Sequence, residues 1–331
     1  MKILITSKSF GRYAPETLDF LREHGFDVVR GSKPSLAPEE IASEVRDADA
    51  LIVGNDTIDR DVIDTGKKLK LIHMNGTGLD GIDVEYATQK GILVANAPGA
   101  NRNAVAELAV GLMLVSARSI DAHIELLKQG RWERSAGIEI TGKTVGFLGL
   151  GNIGKRIVEL LTGFSIRAIA FDPQPDSSWV ADHGVTLFDN IEEIFARSDF
   201  LVLALPYNSA TQNIVNSESL GLMKPTARII NTARGGLIDE AALCRAIKEK
   251  KIAGAALDAY AEEPLPLSSP LRQQGLTLTP HMAATSIETA ANMSWIVARN
   301  VVDILIEKKY ISAVNRDRIS APTGESTAKT H

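Results

Sequence analysis

Three segments of the chain each set one ionisable side chain among small or turn-forming residues: Asn231-Thr232-Ala233-Arg234-Gly235-Gly236, Asp258-Ala259-Tyr260-Ala261-Glu262-Glu263-Pro264 and Thr279-Pro280-His281-Met282-Ala283. The Arg234 guanidinium can clamp a carboxylate through two parallel N–H bonds. The His281 imidazole can exchange a proton near neutral pH, and Glu263 can orient it and stabilise its protonated form. Each residue has a plainer alternative: Arg234 serving loop carbonyls, Glu263 in a solvated turn, His281 in the core. What precedes them in sequence gives them a shared purpose.

That is a glycine loop. Thr144-Val145-Gly146-Phe147-Leu148 reads as a strand, and Gly149-Leu150-Gly151-Asn152-Ile153-Gly154 runs from it into a helical stretch at 155–162. Gly149 permits a tight turn, Gly151 lets backbone approach a pyrophosphate, and Gly154 lets the helix lie close on the strand. The N-terminus of that helix offers N–H groups to the phosphates, and Asn152 and Ile153 of the loop are counted with the cofactor-binding residues. The next strand, 168–171, ends in Asp172, placed to accept hydrogen bonds from the adenosine ribose hydroxyls, and 173–176 contain no Arg or Lys. Both features favour NAD over NADP.

These residues need strand ends to stand on. Short β-rich runs alternate with amphipathic stretches from residue 2 to residue 95, and runs such as Ala50-Leu51-Ile52-Val53 are apolar on both faces, as a helix-covered parallel sheet requires. Asn96-Ala97-Pro98-Gly99 marks a boundary. A long helix is expected over 102–128, then a second strand–helix alternation from Lys143 to Leu278, then a last helix near 286–307 able to return to the first sheet. The reading is α/β, with two doubly wound parallel sheets.

Composition bounds the rest. Of 331 residues, 44% are hydrophobic and 23% charged, the balance of a globular protein rather than a disordered one. A net charge of −5 supplies no field to steer nucleic acid or an anionic membrane, and no apolar run approaches a bilayer span, so neither partner is expected. The one cysteine, Cys244, makes no intramolecular disulfide and suggests no metal site, which fits a cytoplasmic setting.

In order and spacing, the Asn75-Gly76-Thr77-Gly78-Leu79-Asp80-Gly81-Ile82-Asp83 loop, Gly142-Lys143-Thr144-Val145-Gly146, the Gly149 loop and the Arg234, Asp258–Pro264 and His281 segments resemble the D-isomer-specific 2-hydroxyacid dehydrogenase family. The resemblance implies a Rossmann-type coenzyme domain, 99–288, inserted in a flavodoxin-like substrate domain, 1–98 plus 289–316, with a flexible tail at 317–331. It implies catalytic roles for Arg234, Glu263 and His281, and NAD contacts from Pro206, Thr211, Thr232, Ala233, Asp258 and His281 besides the glycine loop and Asp172. It further implies a substrate carboxylate held by Arg234 and by Asn75, Gly76, Thr77 and Gly78, and a homodimer. The activity implied is hydride transfer between NAD and a D-2-hydroxy acid/2-oxo acid pair.

Within the family, 130–134 and 231–241 are most similar to phosphoglycerate dehydrogenases. Two departures keep the substrate open among 3-phosphoglycerate, hydroxypyruvate or glyoxylate, and a sugar-derived 2-oxo acid. The arginine of the usual RAGTG loop is Met74, leaving Arg102 and Arg134 as candidate phosphate ligands, and the usual HxGAST reads His281-Met282-Ala283-Ala284-Thr285-Ser286. Only a short tail follows the last helix, so feedback through an appended regulatory domain is not expected. The alternative function is an NAD(H)-sensing corepressor-like scaffold with little turnover.

Overall fold

Runs with no polar face belong at the centre of a covered sheet. In a computed structural model of the chain, which describes residues 1–33, 36–272 and 275–319, Ala50–Val53 and Leu71–Met74 are strands buried at every position. The chain divides into two units: Met1–Asn101 with the chain from Thr285, and Arg102–Ala284. The second interrupts the first in sequence.

The first unit is a five-stranded parallel sheet of β1 (Lys2–Ile5), β2 (Asp27–Arg30), β3 (Ala50–Val53), β4 (Leu71–Met74) and β5 (Leu93–Ala95), in the order β2-β1-β3-β4-β5. Alternate residues feed two cores. Ile3, Ile5, Ile52 and Leu71 pack with Phe10, Leu21, Met293, Val297 and Val301 on one face. Leu4, Leu51, Val53 and Ile72 pack with Ile41, Val62 and Ile63 on the other. Met293, Val297 and Val301 lie on the helix Ile287–Val302, capped by Ser286, whose side chain accepts from the Thr289 amide. That helix therefore completes the first sheet from the far end of the sequence, and its Ser294 hydroxyl accepts from the Gly11 amide at 3.0 Å.

The second unit is a seven-stranded parallel sheet: β6 (Thr144–Leu148), β7 (Arg167–Phe171), β8 (Thr186–Leu187), β9 (Phe200–Leu203), β10 (Arg228–Asn231), β11 (Gly254–Leu257) and β12 (Leu276–Leu278), in the order β12-β11-β10-β9-β6-β7-β8. The order reverses between β6 and β9, the switch point at which a dinucleotide crevice opens. Val145, Phe147, Phe200 and Val202 pack beneath Ala109, Met113 and Ile157 on one face, while Leu148, Leu201, Leu203 and Ile229 pack against Ile194, Leu220 and Leu243 on the other.

The helix expected over 102–128 is broken. Arg102–Arg118 and Ile120–Lys128 meet at an angle of 65°, with Ser119 in the left-handed region at φ 48°. The cause lies in the chain that folds back on it: the Ile138 amide takes the Ala117 carbonyl at 2.9 Å, and a Cβ at Gly137 would stand 2.7 Å from that same oxygen. The tail expected at 317–331 begins in a helical turn, Arg316–Ile319, and 320–331 lie outside the described residues. Among the described residues, no single helix is long and apolar enough to cross a membrane.

Edge strand β5 is covered by the returning chain. The Val314 amide donates to Val94 O, and buried Asn315 accepts from Val94 N while donating to Ile92 O and Thr88 Oγ1, each at 2.9 Å. Asn315→Ala should lower the unfolding free energy by about 2 kcal/mol by leaving Val94 N and Ile92 O unpaired. The check is the urea midpoint, and a wild-type value would mean that this anchor contributes nothing.

Candidate active site

The first element of the site is the turn after β6. Gly149 has φ +93°, and a Cβ there would meet the Ala204 carbonyl oxygen at 2.7 Å; at Gly154 a Cβ would meet the Gly149 carbonyl oxygen at 2.5 Å. Packing within the protein demands both glycines. Gly151 is different: its φ of −71° suits any residue, and nothing lies within 4 Å of its would-be Cβ. No protein contact demands glycine there, whereas a pyrophosphate lying on the loop would. Gly151 caps the helix Asn152–Leu161 without a side-chain hydrogen bond, which leaves the first-turn amides to an anionic ligand. The residues present fit a dinucleotide.

Asp172, at the end of β7, accepts from the Leu150 amide at 2.6 Å and the Gln174 amide at 2.8 Å, so it also pins the glycine loop. Lys155 is engaged by Asp176 at 2.7 Å. Beyond β9, Thr211 donates from its hydroxyl to Pro206 O at 2.7 Å and accepts from the Asn208 amide at 2.9 Å, closing a small exposed loop.

β10 delivers Thr232, Ala233 and Arg234. Its last residue, Asn231, is fully buried; the amide nitrogen donates to Arg234 O at 2.9 Å and the amide oxygen accepts from Ala233 N at 3.0 Å. Asn231 thereby sets the turn that presents the half-buried Arg234, whose guanidinium donates to Ala233 O at 2.8 Å. A Cβ at Gly235 would fall 1.8 Å from the Tyr260 carbonyl carbon, so the Arg234 turn rests backbone to backbone on the segment after β11.

β11 and β12 deliver the remaining groups. The Asp258 carboxylate, 1% exposed, accepts from Thr279 Oγ1 (2.6 Å), Met282 N (2.9 Å) and Ala283 N (2.7 Å). The Tyr260 hydroxyl lies between Leu257 O at 3.0 Å and Thr279 O at 2.7 Å. Burial, with the Asp258 charge adding to it, pushes this phenol up to about 12, so it stays a donor. Glu263 accepts from the Tyr260 amide at 2.9 Å with one oxygen and meets His281 Nδ1 at 2.6 Å with the other. With Nδ1–H committed to the carboxylate, neutral His281 presents Nε2 as its basic nitrogen. His281 sits in the left-handed region at φ 49°, a conformation costing a non-glycine residue about 1 kcal/mol or more. The three bonds to Asp258 hold the turn in place.

In the first unit, Asn75, Gly76, Thr77 and Gly78 follow β4. Asn75 donates to the Ser7 and Ser9 hydroxyls, both at 3.0 Å, and among the described residues the Gly76, Thr77 and Gly78 amides have no hydrogen-bond acceptor. Met74, where an arginine was expected, is buried; Arg102 and Arg134 are exposed. Sequence reasoning did not single out Asn231 or Tyr260. A polar residue closing the apolar strand Arg228-Ile229-Ile230-Asn231 was the available signal for the first.

A phosphate loop at a sheet's switch point, with an oriented imidazole at another strand end of that sheet, is the layout of a Rossmann-type dinucleotide-binding protein. The family model for the NAD binding domain of D-isomer specific 2-hydroxyacid dehydrogenases matches residues 110–283, and the chain belongs to that family. It is similar to D-3-phosphoglycerate dehydrogenase of Methanocaldococcus jannaschii, 44% identical over 328 residues covering 96% of this chain and 60% of the relative. The chain thus spans about 60% of the length of that curated relative. Among solved structures it is similar to a glyoxylate reductase from Paecilomyes thermophila (TM-score 0.85, 28% identity, 96% of this chain and 99% of that one). It is also similar to an NAD+-bound 3-phosphoglycerate dehydrogenase of Entamoeba histolytica (TM-score 0.81, 28% identity, 95% and 98%).

The glycines separate cofactor binding from folding. Gly151→Ala should keep the wild-type melting temperature while weakening NADH binding at least about tenfold, or about 1.4 kcal/mol. Gly154→Ala should lower both, since displacing the Gly149 carbonyl costs roughly 1–3 kcal/mol. Fluorescence titration with NADH beside thermal melts reads the contrast, and full NADH affinity in Gly151→Ala would remove that residue from the binding surface.

Proposed function

We propose that the chain is an NAD-dependent D-2-hydroxyacid dehydrogenase, a cytoplasmic homodimer interconverting a short polar D-2-hydroxy acid and its 2-oxo acid. The 2.6 Å contact between Glu263 and His281 Nδ1, on a sheet that also carries the phosphate loop, is the observation on which this rests. NAD, when bound, would supply the nicotinamide that accepts the hydride leaving C2 of the hydroxy acid. His281 Nε2 takes the hydroxyl proton as the hydride leaves and returns it in the reverse direction, while Glu263 stabilises the imidazolium. Arg234 clamps the substrate carboxylate, and the Gly76–Gly78 amides add donors to it. Asp172 engages the adenosine ribose, and Pro206, Thr211, Thr232, Ala233 and Asp258 line the nucleotide. Ile124, Leu127 and Trp132, exposed on and after the helix Ile120–Lys128, support the homodimer.

The phosphoglycerate dehydrogenase relative makes 3-phosphoglycerate the first substrate to test, and the buried Met74 in the arginine's place favours an unphosphorylated acid. Loss of NADH absorbance with a panel of phosphohydroxypyruvate, hydroxypyruvate, glyoxylate and sugar-derived 2-oxo acids is expected to rank the unphosphorylated acids by kcat/KM at or above the phosphorylated one. No turnover with any member would favour a scaffold role.

His281→Asn should lower kcat by roughly 10²–10⁴-fold, the scale of a lost general acid–base, with NADH affinity retained. Arg234→Ala should act on kcat/KM, mainly through KM. Wild-type turnover in the first variant would sink the assignment, and an unchanged kcat/KM in the second would take Arg234 out of the site.

A further inference from the structure

The carbonyls of the loop after β4 are fastened from behind. Met74 O accepts from His73 Nδ1 at 2.9 Å, Gly76 O from the Ala97 amide at 2.9 Å, and Thr77 O from the Asn96 side chain at 2.7 Å. The planes of Gly76 O and Thr77 O carry the Thr77 and Gly78 N–H groups, so holding these carbonyls turns those two amides the other way, whereas the plane of Met74 O carries the Asn75 amide, which donates to Val53 O at 2.8 Å. Adjacent amides turned outward make an anion-binding concavity. Gly76, Thr77 and Gly78 are half-buried and, among the described residues, have no acceptor for those N–H groups.

The fastening residues are themselves joined. Asn300, on the helix Ile287–Val302, donates its side-chain amide to His73 Nε2 at 3.1 Å and, more weakly, to Asn96 O at 3.4 Å. His73 is wholly buried, and burial lowers its pKa to about 4, so the ring is neutral. With Nδ1–H given to Met74 O, Nε2 must accept, which requires Asn300 to present its NH₂ and not its oxygen. Each member thus fixes the orientation of the next. Val297 and Val301, buried with Ala95 and Ala97, seat Asn300 against this part of the sheet.

We propose that His73, Asn300 and Asn96 form a brace, buried at His73, that holds the Thr77 and Gly78 amides in register for the substrate carboxylate, so that a residue of the returning helix sets substrate affinity without touching the substrate. The inference rests on the reading of that loop as a carboxylate site. All three are positioning residues: they act through the loop and not on the reacting atoms. Deleting one should loosen the loop, and small displacements of binding groups are costly out of proportion to their size.

The experiment measures binding of oxamate, an unreactive 2-oxo acid analogue, to the NADH-loaded protein by calorimetry, alongside steady-state kinetics, for wild type, Asn300→Ala and Asn96→Ala. In each variant oxamate affinity should fall and the 2-oxo acid KM rise by about tenfold, while kcat stays within about threefold and the NADH dissociation constant is unchanged. Asn300→Ser, which retains a donor, should recover part of the loss. Wild-type oxamate affinity and KM in both alanine variants would overturn the brace. A parallel loss of kcat, NADH affinity and melting temperature would overturn it too, by showing general destabilisation. Wild-type protein that neither binds oxamate nor reduces any 2-oxo acid would instead overturn the carboxylate reading, and the brace with it.

Discussion

A carboxylate taken out of water must be met by donors on every side that counts, or the fold pays heavily. Asp258 is in that position: 1% exposed, it gathers the Thr279 hydroxyl and the Met282 and Ala283 amides. The site chemistry hangs from this arrangement. The donors flank His281, so the turn that holds the imidazole in a left-handed conformation cannot relax without leaving the carboxylate unsatisfied. The Tyr260 hydroxyl bridges the same two strand ends, and the Tyr260 amide holds Glu263. A structural carboxylate therefore positions the pair proposed to move the proton.

Glycines set the other distances. Gly235 allows the Arg234 turn to lie on the Tyr260 backbone, and Gly149 and Gly154 allow strand and helix to close on one turn. These are contacts a single Cβ would prevent. Gly151 belongs to another category, since it leaves space that the protein does not fill. One glycine motif thus contains both positions that packing demands and a position that packing leaves open, a difference its spacing alone does not show.

The parallel sheets, the phosphate loop and the chemistry-bearing strand ends were legible in the sequence because they rest on local signals: apolar runs without a polar face, glycine spacing, and ionisable residues after strands. The break at Ser119 was not. No Gly or Pro stands there, the helical pattern continues through it, and its cause is a chain segment that docks from residues 137–138. Tyr260 and the His73–Asn300–Asn96 set were illegible for a similar reason, and Asn231 offered no more than a polar end to an apolar strand. Each owes its role to partners that folding brings together, and Asn300 acts on residues separated from it in sequence by the whole of the second unit. Arg234, Glu263 and His281 were visible as candidates, while the 2.6 Å contact that orients the imidazole was not.

The helix Ile287–Val302 supplies Met293, Val297 and Val301 among others, and the residues just after it supply Ile304 and Leu305, to a core whose other buried members lie in the first hundred residues. During synthesis the first hundred residues therefore emerge with one face of their sheet only partly covered, by Phe10 and Leu21 among others, while Arg102–Ala284 are contiguous and can close as each strand appears. The unit begun first is finished last. An apolar sheet face kept waiting for its cover is exposed to nascent-chain aggregation and chaperone capture, so the order of elements along the gene shapes the protein's vulnerability before any substrate is met.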